Sequence, residues 1–178
     1  LSVDVTDING ETQSTSTAIG IGYVALSISL DIPRLINKEK KQEFTIVSEN
    51  LNGTFEKAEG RITIHRLVSP GKPFRERLWK QPDKFIYTRE DYKRDFPYDA
   101  YKDEDSPHTW KREKEVYNGS FHTAKEKNIM FKGMAAWEQG KYVLELKTAD
   151  KYGFPISLEK YFTLYGSSEK SLPVQTSI

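Results

Sequence analysis

Between Leu26 and Ile32 the chain alternates without a break. Leu26, Ile28, Leu30 and Ile32 are apolar, and Ser27, Ser29 and Asp31 are polar. Successive side chains of a strand point to opposite faces, so a period of two buries one face and leaves the other in water. The same period returns at Phe44 and Ile46 around Thr45, at Ile62 and Ile64, at Tyr142, Leu144 and Leu146, and at Ile156, Leu158, Phe162 and Leu164. These stripes predict an all-β chain with two sheets packed about 10 Å apart. Its expected core is Leu26, Ile28, Leu30, Phe44, Ile46, Ile62, Ile64, Tyr142, Leu144 and Leu146. Leu67 arrives one residue out of phase, which predicts a bulge or a strand end near His65 and Arg66.

Turn chemistry separates the runs. Asn52-Gly53 and Asn118-Gly119 both supply residues that tolerate positive φ, and each predicts a tight turn. Asp7-Ile8-Asn9-Gly10 and Asp150-Lys151-Tyr152-Gly153 each follow an alternating run and predict a hairpin. The repetition of strand, Asp-x-x-Gly, strand at the two ends of the chain reads as an internal repeat caught off register. Residues 1–23 are then the closing hairpin of a preceding domain. Residues 24–166 form one complete domain, and residues 167–178, with Ser167, Ser168, Ser171 and Pro173, form a linker onward. The alternative keeps both hairpins in one sandwich.

From about 70 to 114 the strand pattern stops. Phe74, Trp79, Phe85, Tyr87, Tyr92, Phe96, Tyr98, Tyr101 and Trp110 stand among dense mixed charges. Thr88-Arg89-Glu90-Asp91 has the form of a helix start, a hydroxyl cap followed by carboxylates, and Pro97 ends that helix after about two turns. A structureless loop of this length is unusual in a compact domain, so the rings are expected to fold the insertion onto the sandwich.

Lys and Arg number 27 and Asp and Glu 26, which gives no electrostatic reason to expect nucleic acid or acidic lipid as a partner. With no cysteine, a disulfide framework, a thiolate metal site, a Cys nucleophile and an internal thioester are excluded from these residues. No run approaches the roughly 20 apolar residues of a membrane-spanning helix, and no signal peptide is visible. The first residue is Leu1, and the chain is read as an excised fragment whose targeting signal lies elsewhere.

Candidate chemistry is thin. His65, His108 and His122 lack the i, i+4 spacing of a helical zinc pair. Asp103-Glu104-Asp105 resembles the start of a calcium loop, but the sixth and twelfth positions are His108 and Lys114, where Gly and Glu are required. Asn52-Gly53-Thr54 and Asn118-Gly119-Ser120 match the glycosylation pattern, and both are also turn dipeptides. No catalytic, cofactor-binding or metal residue is assigned, and the chain is not expected to be an enzyme.

Three features in order resemble a macroglobulin-type domain of alpha-2-macroglobulin-like proteins, in its bacterial branch. They are the hairpin from Gly140-Lys141-Tyr142 to Asp150-Lys151-Tyr152-Gly153; Asn50-Leu51-Asn52-Gly53 followed by Ala58-Glu59-Gly60-Arg61-Ile62-Thr63-Ile64, a stretch that in this family passes through a small-residue-Gly turn; and the insertion with Arg77-Leu78-Trp79 and Phe96-Pro97-Tyr98. The resemblance implies a seven-stranded antiparallel sandwich of fibronectin-III or immunoglobulin-like shape, present in tandem copies. It implies neighbouring domains of the same type as partners, and a periplasmic or cell-envelope parent that traps or inhibits proteases. Glu138-Gln139 lacks the cysteine of the family's thioester sequence, and no thioester belongs there. The competing expectation is a fibronectin-like spacer or glycan-binding module of an adhesin or a polysaccharide-degrading system. Solvent-exposed, coplanar Trp79 and Trp110 would mark that alternative.

Overall fold

The computed structural model describes residues 2–16 and 22–167. Strands β1 (Ser2–Thr6) and β2 (Thr12–Ser16) pair antiparallel in a two-stranded sheet of their own. The remaining strands are β3 (Leu26–Asp31), β4 (Leu35–Asn37), β5 (Phe44–Asn50), β6 (Glu59–Leu67), β7 (Arg112–His122), β8 (Asn128–Ile129), β9 (Gly140–Ala149) and β10 (Pro155–Tyr165). They form a five-stranded sheet in the order β4-β10-β9-β6-β7 and a three-stranded sheet in the order β3-β5-β8.

The alternating stripes close on one another as the sequence predicts. Leu26, Leu30, Phe44 and Ile46 from the smaller sheet meet Ile62, Ile64, Tyr142, Leu144, Leu146, Phe162 and Leu164 from the larger in one buried cluster, with Ile28 packed against it. Two sheets that share a single core of this kind make the chain an all-β protein of sandwich type. Ile36, Phe121, Phe131, Met134 and Trp137 complete the core. Phe131 stacks on Phe44 at 5.0 Å between ring centres, and Trp137 lies 5.7 Å from Tyr142. Phe131, Met134 and Trp137 stand outside the strands, where no period of two marks them.

One pairing departs from the antiparallel expectation. β4 runs parallel to β10, Leu35 to Asn37 beside Thr163 to Tyr165. Pro33 has no N–H to continue the β3 ladder, so the chain leaves the small sheet after Asp31 and crosses to the edge of the large one. There Thr163 donates its N–H to Arg34 O at 2.8 Å and Lys38 its own to Tyr165 O at 2.9 Å. A single segment thus supplies an edge strand to both sheets.

The irregularity near His65 is real, but the extra residues lie on β7. Ile64 faces Tyr117 and His65 faces Glu115, and Leu67 then faces Arg112, whereas β6 keeps an unbroken register with β9 through Arg66. Bulges of this kind are common on edge strands, where they interrupt the template for foreign pairing. Leu67 points to the outer face of the sheet, where it packs with Trp110 and Val143.

Asn118-Gly119 makes no turn. Both residues sit inside β7, and Gly119 is not among the positive-φ glycines. The glycine leaves room for the Tyr117 ring, whose hydroxyl would lie 2.5 Å from an added Cβ. Nor does the Ala58-Glu59-Gly60 stretch form a small-residue-Gly turn. Gly60 belongs to β6 and pairs with both Phe121 and Thr148.

The Asp-x-x-Gly hairpins form as expected. Asp7 accepts the Asn9 and Glu11 amides on Oδ1 at 2.8 and 2.9 Å. Asp150 accepts those of Tyr152 and Phe154, both at 2.9 Å. Asn50 does the same for Asn52 and Thr54 at 2.9 and 3.0 Å. In all three the glycine N–H returns to the carbonyl of the first residue, and all three glycines have positive φ. The turn is a local solution that any Asx-x-x-Gly sequence can reach.

Strand register fixes the two ends of the sandwich. Leu26 opposite Asn50 and Ala149 opposite Pro155 lie at the leading end, where the chain enters. Leu67 opposite Arg112 and Gly140 opposite Leu164 lie at the trailing end. The insertion therefore leaves and rejoins the sandwich at the trailing end. The helix of the insertion forms as the sequence predicts: α1 spans Arg89–Asp95, and Thr88 Oγ1 accepts the Asp91 amide at 3.1 Å. Residues 168–178, read as a linker, lie outside the described residues.

Candidate functional site

The insertion is held by polar contacts as well as by its rings. Arg77 donates from one guanidinium nitrogen to Ala100 O at 2.5 Å and Lys102 O at 3.1 Å. Tyr101 donates its hydroxyl to Tyr87 O, and its ring lies 4.5 Å from that of Phe85. Tyr92 joins Tyr87, Phe96 and Tyr101 in the same aromatic cluster. Trp110 is 9% exposed, donates its indole N–H to Glu104 O at 2.9 Å, and packs on Leu67 and Val143. The His108 ring packs tilted against Tyr161, with 4.2 Å between ring centres. Trp110 and His108 seat the end of the insertion on the large sheet, while Phe85, Tyr87, Tyr92, Phe96 and Tyr101 pack on one another.

Trp79 is treated differently. It is 70% exposed, beside Leu78 at 86%. Because Trp110 is buried and Trp79 is not, the two do not form a coplanar sugar-stacking platform. A cleft of about 150 Å³ lies between Leu78 and Trp79 on one side and Tyr92, Asp99 and Ala100 on the other. It is about the size of one apolar side chain, and Arg75, Glu76 and Arg77 give it a mixed-charge rim.

A larger groove of about 480 Å³ runs past Arg66, Lys114, Lys132 and Trp137. Arg66 bridges Glu113 at 3.1 Å and Glu138 at 2.9 Å. Tyr142 donates its hydroxyl to Glu138 O at 2.5 Å. Burial pushes the Tyr142 phenol up to about 12 against the opposing pull of Arg66, so its proton stays in place at any ordinary pH. Glu138, the residue that superficially suggests thioester chemistry, serves here as an ion-pair partner.

The histidines are dispersed. His65 lies in β6, His108 packs on Tyr161, and His122 ends β7 with Nε2 3.7 Å from Glu59. Among the described residues no three His, Cys, Asp or Glu side chains are grouped to hold a metal ion. In the Asp103-Glu104-Asp105 turn, Glu104 accepts the Lys102 amide at 2.6 Å and pairs with Arg89 at 2.8 Å. Burial raises its carboxyl, and the backbone amides of Lys102 and Glu104 with the Arg89 guanidinium together bring it below the ordinary range.

The carboxylates whose titration moves most clearly all hold backbone or caps. Asp150 is lowered first by the Ala25 amide and then by those of Phe154, Tyr152 and Gly153. Glu39 is lowered by the Ser167 hydroxyl and amide. Asp91 is lowered by Thr88 beside the helix cap. The sequence places Arg66 beside a bulge, Arg77 in the insertion and Asp150 in a turn, but it shows none of the three with the distant partner it holds. No family model matches this chain, and no curated protein matches it.

Proposed function

We propose that the chain is a non-catalytic scaffold segment of macroglobulin type, built from one sandwich and the closing hairpin of the sandwich before it. The observation that carries this reading is the separate β1-β2 sheet beside an independent two-sheet core. A lone two-stranded hairpin is marginal in water and needs a larger sheet to complete it. A preceding sandwich of the same kind supplies one. The finer fold is fibronectin-III or immunoglobulin-like, with residues 24–166 as the complete domain.

The ionisable groups support a structural role, since the shifted carboxylates are engaged with backbone amides, a helix cap and ion pairs. The macroglobulin reading rests on the resemblance of the three sequence features. It makes the parent an envelope or periplasmic protein that traps proteases, with this segment positioning its neighbours. The glycan-binding alternative loses its expected feature, because Trp110 is buried under the insertion.

The test is made on the full-length parent. It is treated with several unrelated proteases, the cuts are mapped by mass spectrometry, and its dimensions are followed by small-angle scattering. Cuts converging on one short segment outside residues 24–166, with compaction, are the expected result. Scattered cuts without a change of shape would overturn the protease-trap reading.

A further inference from the structure

Exposed apolar side chains gather at the leading end of the sandwich. Tyr23, Leu51, Phe55, Tyr152 and Phe154 all face water there. Single exposed hydrophobics are ordinary, but five around one end make a patch that calls for a partner. Their backbone is held firmly. Asp150 Oδ2 accepts the Ala25 amide at 3.0 Å, and the Asn50 and Asp150 turns carry Leu51, Tyr152 and Phe154. A patch on fixed turns loses little conformational freedom when it is covered.

Where the described chain resumes after the hairpin, it lies against this patch. Gly22 lies so close to Leu51 that a Cβ there would meet Leu51 Cδ1 at 3.2 Å. Five residues, 17–21, join Ser16 at the end of β2 to Gly22. A link of that length keeps Ser16 within about 20 Å of the leading end. If β1 and β2 close a sandwich as β9 and β10 do, Ser16 marks that sandwich's trailing end, as Tyr165 marks this one's.

We infer that the leading end, with Leu51, Tyr152 and Phe154 at its centre, is the docking face for the trailing end of the sandwich that owns β1 and β2. Successive modules then stack head to tail, each seated on the two Asx turns of the next. The inference rests on the tandem reading above.

The test uses single cysteine substitutions, Tyr152→Cys and Phe154→Cys, in the full-length parent and in the 178-residue chain. Both positions are exposed turn sites, so folding tolerates the change. Maleimide labelling of the peptide carrying each position is followed by mass spectrometry, with Ser29→Cys, exposed on β3, as control. Labelling at 152 and 154 is expected to be at least tenfold slower in the parent, with the control unchanged. Equal rates at 152 and 154, or slowing at all three positions, would overturn the docking face. Hydrogen exchange of β1 and β2 separates this from the tandem reading. Amides that exchange as fast in the parent as in the 178-residue chain would mean that no preceding sandwich completes the hairpin.

Discussion

Asp150 and Ala25 are joined across 125 residues of sequence by one hydrogen bond, the Ala25 amide to the Asp150 carboxylate at 3.0 Å. The other oxygen of that carboxylate closes the β9-β10 turn through Tyr152 and Phe154. One side chain therefore both shapes the hairpin and fixes the point where the chain enters the sandwich. Asp150→Asn is expected to keep the turn, since Asn50 holds the same turn with an amide oxygen. It should lose the Ala25 contact, because the amide nitrogen presents a donor to a donor. Asp150→Ala removes both and should lower the melting temperature further. Thermal unfolding of the two variants, ranked wild type above Asn above Ala, checks this.

The same carboxylate sets a pH dependence. Its folded value lies below the ordinary 3.8, held there by the Ala25 amide first and the turn amides after it. A depressed carboxylate contributes stability above its unfolded value and loses that contribution as pH falls through the folded one. The wild type should therefore lose stability relative to Asp150→Ala below about pH 4. Denaturant midpoints compared at pH 7 and pH 3 test it: the gap between the two proteins should narrow at pH 3.

Gly60 and Gly53 should respond to alanine in the order opposite to their backbone angles. Gly53 has φ of 76°, yet an added Cβ there meets nothing within 4 Å. Gly60 has an ordinary strand conformation, but its Cβ would sit 2.1 Å from Lys147 O and 3.0 Å from Phe121. Gly53→Ala should cost about 1–2 kcal/mol for the left-handed conformation. Gly60→Ala forces the β6-β9 backbones apart and should cost about 3 kcal/mol or more. Urea unfolding of both variants decides the order.

Trp110 and Trp79 divide the insertion into an anchor and a free surface. Trp110→Ala removes the ring that covers Leu67 and Val143, at a cost of about 3–5 kcal/mol, and should open residues 70–109 to proteolysis. Trp79→Ala removes an exposed ring and should stay within about 0.5 kcal/mol of wild type. Limited trypsin digestion, with cleavage sites read by mass spectrometry, distinguishes the two.

Leu144 is fully buried between the sheets and pairs opposite Ile64 and Lys160. Leu144→Ala should cost about 2–5 kcal/mol through the cavity it leaves. Leu144→Asp, which also buries an unpaired charge, should cost more. A variant that kept its melting temperature would remove Leu144 from the core.

The sequence alone determined the strands and their inner faces, because alternation records burial one residue at a time. Leu26, Leu30, Ile62, Ile64, Leu144 and Leu146 could be placed in the core without knowing what they touch. The Asp7, Asn50 and Asp150 turns and the Thr88 cap were equally legible, since each is closed by atoms within four residues of one another. Partners distant in sequence were not. Asn118-Gly119 has turn chemistry, yet pairing with β6 holds it extended. Trp79 and Trp110 look alike in the chain, and only the outer face of the large sheet buries one and leaves the other in water. The parallel β4-β10 pair, the Asp150–Ala25 contact and the apolar leading end all arise where segments far apart meet. Tertiary structure decided those features, because local propensity carries no information about which distant backbone will supply the missing hydrogen bond.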